Sequence, residues 1–205
     1  MEFINYDRYI KNLPNDGKHI VASHDNNSIV VYQGLNKEIA EPAVKSACFH
    51  EPFRLDRLSW IKTNFMWMMY RSDWGILEER ILAIYLKKSI FEKILMESHY
   101  SQFTPDLYQD VKVWRKSLKW SNVRIQWDPD YDPHKRSLKR RALQIGLSGE
   151  VLKNYARKWI LKIEDLTDFV REQRYNLESG KEVSVPKERV YVPSNEFLFS
   201  WLQLG

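Results

Sequence analysis

Four side chains that could ligate a metal ion alternate along one segment of the chain: Asp128, Asp130, Asp132 and His134. Alternation puts oxygen ligands on one side of an extended strand, as Mg²⁺ or Ca²⁺ would require. However, Pro129 and Pro133 interrupt regular extension, and the glycine of a calcium-binding loop is missing. We therefore expect a solvated acidic turn here, and we expect no metal cofactor.

A second group of residues could bind a polyanion. Residues 112–162 contain 14 basic and four acidic residues, whereas the segments on either side are slightly acidic. Tryptophans lie among these basic residues, so cations could meet phosphates and ring faces could meet nucleobases. The residues that we predict to contact nucleic acid are Arg124, Lys139, Arg140 and Arg141. The alternative interpretation is a solvated basic face whose tryptophans belong to the core.

The sequence lacks the motifs of several common enzyme classes. It contains no glycine-rich phosphate loop, no His-Glu-x-x-His motif and no Gly-x-Ser-x-Gly elbow. The single cysteine, Cys48, excludes an internal disulfide and a zinc site built from cysteines. The N-terminal residues do not resemble a signal peptide, and the longest apolar stretch, residues 65–70, is too short to cross a bilayer. We therefore expect a cytoplasmic protein with no membrane partner.

Strands and helices are mixed along the chain without regular βαβ alternation, which favours an α+β fold. Apolar spacing and capping residues predict helices over about 36–48, 65–71, 89–98, 148–160 and 165–175. Alternation and short apolar runs predict strands over 17–24, 28–33, 57–61, 81–86, 123–127, 138–147 and 189–192. The length fits one domain over residues 1–205, with a core of about 17–170 and a C-terminal extension of about 171–205.

Five segments in the same order carry a resemblance to a known family. They are Ile-Val-Val-Tyr-Gln at 29–33, Arg-Leu-Ser-Trp-Ile-Lys at 57–62, Phe-Met-Trp-Met-Met-Tyr-Arg-Ser at 65–72, Gln-Trp-Asp-Pro at 126–129 and Arg-Ala-Leu-Gln-Ile-Gly-Leu at 141–147. Together they resemble the family called domain of unknown function 4291, over about residues 17–170. The family has no established activity, so this resemblance implies no particular reaction.

The order of the predicted elements is also similar to that of an ADP-ribosyltransferase core. In that superfamily a strand ends in a polar residue that holds NAD, and a helix follows. A short strand then carries an aromatic or hydroxyl residue beside the nicotinamide, and after a helix and an apolar strand a later strand carries an acid. The resemblance implies a mixed, mostly antiparallel split sheet with flanking helices, and NAD as the substrate.

Carried over to this chain, the ADP-ribosyltransferase resemblance assigns catalytic roles to Gln33, Gln126 and Asp128. The residues to which it assigns NAD binding are Tyr32, Arg57, Ser59, Trp60 and Arg71. Asp128 would stabilise the positive charge that develops on the ribose as the bond to nicotinamide breaks. The aromatic ring would stack on nicotinamide, and the arginines would hold the pyrophosphate. Each of these residues also has a structural interpretation, such as a turn aspartate or a core tryptophan.

The leading prediction is an NAD-binding enzyme that transfers ADP-ribose to a protein or nucleic-acid acceptor. One alternative is a non-catalytic RNA- or DNA-binding module that uses residues 112–162. Another is a metal-dependent phosphoryl enzyme built on residues 128–134. Release of nicotinamide from NAD distinguishes the first of these functions from the other two.

Overall fold

A mixed seven-stranded sheet organises the protein, whose computed structural model describes residues 1–205. The strands of the protein are β1 (Phe3–Asn5), β2 (Ile20–Ala22), β3 (Ser28–Leu35), β4 (Ser59–Lys62), β5 (Arg80–Lys87), β6 (Ser98–Tyr100), β7 (Val123–Tyr131), β8 (Ser137–Leu147), β9 (Ile160–Asp165), β10 (Ser184–Pro186) and β11 (Arg189–Tyr191). The sheet has the order β6-β7-β8-β4-β3-β5-β9, and only its β6–β7 pair is parallel. The predicted α+β class and mostly antiparallel sheet are therefore confirmed.

Helices cover both faces of this sheet. They are α1 (Tyr6–Lys11), α2 (Lys37–Ser46), α3 (Phe65–Ser72), α4 (Lys88–Met96), α5 (Val111–Trp120), α6 (Gly149–Asn154), α7 (Thr167–Glu178) and α8 (Glu196–Trp201), with a π-helix (Tyr155–Trp159) that continues α6. Buried side chains of α2, α4, α6 and α8 belong to the larger of two hydrophobic clusters, on what we call the back face. Buried side chains of α1, α3 and α7 belong to the smaller cluster, on the front face.

The sheet is split between its two central strands. Only Tyr32 and Lys62 pair between β3 and β4, whereas β3 pairs with β5 at eight positions and β4 with β8 at four. We call this interrupted ladder the seam. It agrees with the split sheet predicted in the sequence analysis.

Helix α3 begins directly after β4 and lies across the front face. The side chain of Asn64 accepts a hydrogen bond from the backbone N of Trp67 at 2.8 Å, which satisfies one of the free donors at the start of the helix. Most of the helix is buried, and it contacts β3, β4 and β7. The helix therefore packs against strands on both sides of the seam.

Strand β9 is the main element that the sequence prediction missed. In its first four residues Ile160 and Ile163 are buried, whereas Leu161 and Lys162 are exposed. A bulge between Tyr85 and Leu86 shifts the register of the β5–β9 pair, so the side chains do not alternate regularly. The resulting apolar spacing of three residues resembles that of a helix.

The segment after α7 is part of both cores. Strand β10 pairs with β1, and β11 pairs with β2. Leu198 and Leu202 are fully buried in the back-face cluster. The residues predicted as a C-terminal extension thus pack against the N-terminal elements. None of the helices combines the length and the apolar character that crossing a membrane requires.

Candidate active site

A row of polar side chains crosses four strands on the front face. Gln126 of β7 pairs with Gln144 of β8, Gln144 pairs with Lys62 of β4, and Lys62 pairs with Tyr32 of β3. Residues directly opposite each other in a sheet project from the same face, so these four side chains share the front face. Asp128 follows Gln126 by two residues in β7 and therefore projects from the same face.

Two amides hold the carboxylate of Asp128. Gln126 Nε2 donates to its Oδ1 at 2.7 Å, and Gln144 Nε2 donates to its Oδ2 at 2.7 Å. The other end of the Gln126 amide accepts a hydrogen bond from Ser101 Oγ at 3.0 Å, which fixes its orientation. Asp128 is half-buried and forms no ion pair. The carboxylate is thus oriented, but its charge is not neutralised by a neighbouring cation.

Lys62 is a buried lysine without a direct partner. Its side chain is 9% exposed, and Nζ forms neither a hydrogen bond nor an ion pair. Burial, and then the charge of Arg71, lower the pKa of Lys62 to about 8, against the opposing charges of Glu78 and Asp128. A substantial fraction of the amine is therefore neutral slightly above neutral pH. A lysine of this kind can accept a proton from a nucleophile.

Two glycines allow larger side chains to lie close to the sheet around Lys62. A methyl group at Gly146 would lie 3.2 Å from the indole of Trp60, and one at Gly34 would lie 2.6 Å from Cγ of Glu78. The Glu78 carboxyl is half-buried, and burial raises its pKa. Trp60 is half-buried and projects from the front face, as Lys62 does. The indole and the Glu78 carboxyl therefore belong to the surroundings of the polar row.

An aromatic stack lies near the carboxylate. The rings of Tyr70 and Tyr131 are 3.5 Å apart and nearly parallel, and Trp67 stacks on both of them at longer distances. Burial, the hydrogen bond with Tyr70 and the nearby charge of Asp128 raise the pKa of Tyr131 to about 12. The two tyrosines are partly exposed, so the stack forms an accessible surface beside the polar row.

Three residues predicted to bind NAD or to act on it do not face an accessible site. Gln33 and Ser59 project from the back face, where Gln33 Nε2 donates to Ser59 Oγ at 2.8 Å and Tyr155 donates to Gln33 Oε1 at 3.1 Å. Both side chains are buried, and the sheet separates them from Asp128. Tyr32 projects from the front face but lies completely buried against Phe65 of α3. Gln33 and Ser59 therefore do not share a cleft with Trp60 and Asp128.

The predicted arginine positions also differ from one another. Arg57 and Arg71 are both exposed and form no ion pair. Only Arg71 is near enough to Lys62 for its charge to lower the pKa of that lysine. Arg71 of α3 thus lies near the polar row, whereas nothing in the structure joins Arg57 to it.

One of the residues predicted to contact nucleic acid in the basic segment 112–162 is buried. Arg140 is 2% exposed and donates to Asp130 Oδ2 from Nε at 2.9 Å and from Nη2 at 2.6 Å. It cannot reach a phosphate, because its guanidinium is buried and bound by Asp130. Lys139 is exposed, and Arg124 and Arg141 are half-buried. Helix α5 buries none of its residues, and its Trp120 is 76% exposed.

The acidic segment is divided among separate partners. Asp130 pairs with Arg140, and Asp132 pairs with Arg136 and accepts hydrogen bonds from two backbone amides. Asp128 is held by its two amides, as described above. The alternating acids thus do not converge, and no group of three His, Cys, Asp or Glu side chains has the arrangement of a metal site.

The sequence prediction did not include Lys62 or Gln144 in the site. A signal for Lys62 exists, because it follows the apolar pair Trp60-Ile61 at the end of a short strand. Gln144 carries no such signal, since its role depends on the pairing of β8 with β7. Pairing between distant strands is a property of the fold and not of the local sequence.

Comparison with known proteins gives one match. The model of a family described as Domain of unknown function (DUF4291) matches residues 19–191 of the chain. This match spans more than half of the chain, including every residue of the polar row. No curated protein matches the chain. The comparisons do not support the resemblance to ADP-ribosyltransferases.

Proposed function

The chain belongs to the DUF4291 family, and we propose that it is an enzyme that binds NAD and transfers ADP-ribose to an acceptor. One observation carries the proposal: Asp128 is oriented by two amides and left without a countercharge, on the same face as a buried lysine without a partner. Buried ionisable groups with perturbed pKa values cluster at functional sites. The proposal also draws on the order of the elements, in which β3, α2, β4, α3 and β5 precede the later strand β7 that carries Asp128.

The arrangement suits transfer at the anomeric carbon of a ribose. The bond between this carbon and the nicotinamide nitrogen breaks, and nicotinamide leaves with the bonding electron pair. Asp128 stabilises the positive charge that develops on the ribose. An acceptor hydroxyl attacks the same carbon, and the neutral amine of Lys62 takes its proton. The residues needed for each part of the step thus lie on one face of the sheet.

Other side chains on this face fit the remainder of NAD. Arg124 and Trp60 both lie opposite Gly146, one on each side of it, so their side chains project from the front face across a glycine. The Nε of Arg124 is buried and has no hydrogen-bond partner, so it lacks the acceptor that such a donor normally finds. Arg124 and Arg71 would hold the pyrophosphate oxygens, and Trp60 would stack on the nicotinamide ring.

The test is the rate of nicotinamide release by Asp128→Asn. This variant keeps the shape of the side chain and removes its charge, so we expect turnover to fall by about 10²–10³ while the affinity for NAD changes little. Asp168→Asn is the matched control, since Asp168 is an exposed carboxylate on α7. Normal turnover in the Asp128 variant would overturn the proposed role. Absence of nicotinamide release by the wild type with any protein or RNA acceptor would overturn the function itself.

A second candidate function, non-catalytic binding of RNA or DNA, is favoured by helix α5. The helix buries none of its residues. It carries four basic residues, Lys112, Arg115, Lys116 and Lys119, and the exposed Trp120. Cations beside an accessible ring suit a single-stranded nucleic acid. Retention of the protein on RNA, without release of nicotinamide from NAD, would favour this function.

A further inference from the structure

A pocket of about 160 Å³ lies at the edge of the sheet, where β6 ends and β7 continues without it. Two cations line the pocket, Lys18 and Arg141. The backbone holds them side by side, because Arg141 N donates to Gly17 O at 2.8 Å and Lys18 and Arg141 form an isolated β-bridge. The pairing of two positive side chains is thus built into the fold.

Neither cation has a countercharge. Arg141 Nη2 donates to the carbonyl of Trp127 at 3.1 Å, and Lys18 Nζ donates to the Gln203 side chain, but neither residue forms an ion pair. Burial and the charge of Arg141 lower the pKa of Lys18, and the charge of exposed Asp106 opposes this. Two cations that share a partly desolvated pocket repel each other, and a bound anion would relieve this repulsion.

The other lining groups are hydroxyls and aromatic rings. The hydroxyls of Ser101 and Thr104 already donate, to Gln126 Oε1 at 3.0 Å and to Gln102 O at 3.3 Å, and the rings belong to Tyr100, Phe103 and Trp127. An arginine and a lysine held side by side are groups that proteins use to bind phosphate oxygens. The pocket therefore has the chemistry of a phosphate site.

We propose that this pocket binds a backbone phosphate of a single-stranded nucleic acid, which is the acceptor of the reaction proposed above. Helix α5 packs on the wall of the pocket, since Trp114 Nε1 donates to Tyr100 O at 2.9 Å and Trp114 contacts Phe103. The basic side chains and exposed Trp120 of α5 extend the cationic surface beyond the pocket, which suits a strand rather than a free anion.

The pocket shares one residue with the candidate active site. Gln126 is part of the pocket lining and donates to the carboxylate of Asp128 at 2.7 Å. Arg141 projects from the back face, as Leu143 does, and its guanidinium reaches the edge of β7 at Trp127 O. A strand held at Lys18 and Arg141 would therefore pass around this edge to reach Asp128 on the front face. The identity of the strand as acceptor rests on the proposed function, whereas its binding to the pocket does not.

The experiment measures the fluorescence anisotropy of a labelled single-stranded RNA of about 10 nucleotides, at several salt concentrations and without NAD. We expect Arg141→Gln and Lys18→Gln each to weaken binding about tenfold or more. If one phosphate contact is lost, the slope of log K against log salt should fall by about 0.7. Lys45→Gln is the control, because Lys45 is an exposed residue of α2, which packs against the opposite edge strand β9.

Equal losses in all three variants, or no loss in the two pocket variants, would overturn the inference. Thermal melts of each variant show whether a loss reflects unfolding, and Lys18→Gln provides a second measurement if Arg141→Gln is unstable. A further measurement adds inorganic phosphate as a competitor of the labelled RNA. If the pocket variants lose affinity for inorganic phosphate but keep their affinity for RNA, the pocket binds free phosphate and the inference is wrong. If they lose RNA affinity while the wild type releases no nicotinamide, the pocket assignment stands and the proposed enzymatic function is wrong.

Discussion

Asp128 and Asp130 are two residues apart in β7, yet they have opposite surroundings. Asp130 is fully buried and bound by the guanidinium of Arg140, which also donates to Pro14 O at 2.6 Å. Asp128 is half-buried and bound by two neutral amides, and the nearby Lys62 is not in contact with it. One carboxylate thus has its charge neutralised by the protein, whereas the other keeps it.

The difference between these carboxylates separates a structural role from a chemical one. A buried ion pair whose members are fully hydrogen-bonded holds chain segments together and leaves no charge for a ligand. A carboxylate oriented by amides keeps its charge available to a bound molecule, at some cost in desolvation. The site of chemistry is therefore expected where the protein leaves charges uncompensated, and Asp128 and Lys62 both meet this criterion on the front face.

The largest effect that tests this comparison is the loss of the buried pair. Asp130→Ala leaves the Arg140 guanidinium buried without its counterion, so we expect a loss of about 3–5 kcal/mol in the free energy of unfolding. Urea denaturation measures this change. Asp128→Asn is the comparison variant and should change stability much less. A similar loss in both variants would show that the two carboxylates have equivalent structural roles.

The next effect concerns the cost of keeping Lys62 buried. The pKa of Lys62, about 8, lies below the ordinary value of 10.5, so the folded state holds the charged amine less favourably than the unfolded chain does. Lys62→Met removes this penalty and should stabilise the protein by up to about 3 kcal/mol near neutral pH. The unfolded chain holds the proton more tightly, so wild-type stability rises with pH between about 8 and 10.5 and the advantage of the variant shrinks.

Thermal or urea unfolding at several pH values measures this dependence, with nicotinamide release assayed in parallel. A more stable but inactive Lys62→Met variant would agree with the proposed role of the lysine. A variant less stable than the wild type at every pH would show that Lys62 contributes to packing instead.

The smallest effect concerns the amides that hold Asp128. Gln144→Leu removes one donor from a half-buried carboxylate, so we expect a loss of about 1 kcal/mol in stability. The remaining bond from Gln126 limits the effect. Urea denaturation measures it, and Gln102→Leu is a control at an exposed glutamine outside the row. A loss as large as that for Asp130→Ala would remove the distinction between the two carboxylates.

Elements with local signals were predictable from the sequence. The cap at Asn64 and the apolar residues after it predicted α3, and the alternation in residues 138–147 predicted most of β8. Residues that depend on distant pairing were not predictable. In Lys139-Arg140-Arg141 alternation alone does not show which residue is buried, because this depends on Pro14, on Asp130 and on the bulge after Pro129. Arg140 was therefore wrongly included among the residues predicted to bind nucleic acid.

The candidate site shows the same division between local and distant information. Asp128 was assigned through the resemblance, from its place after the predicted strand 123–127. Its partner Gln144 and the nearby Lys62 are brought to it by the pairing of β7, β8 and β4. Gln33 was assigned to the site because it lies near the end of β3, and the pleat of the strand places it on the other face. One residue of register thus decides whether a polar strand residue meets a ligand or the core.

The seam between β3 and β4 divides the sheet into two separately hydrogen-bonded parts, which we call plates. One plate contains β6, β7, β8 and β4, the other contains β3, β5 and β9, and a single residue pair joins them. Side chains also join the two parts, through the Gln33–Ser59 bond behind the seam and through helix α3 in front of it. Asp128 and Lys62 stand on one plate, whereas Arg71 belongs to the helix that packs across both. Substitutions in α3 can therefore adjust the geometry around the carboxylate while both hydrogen-bonded plates stay intact.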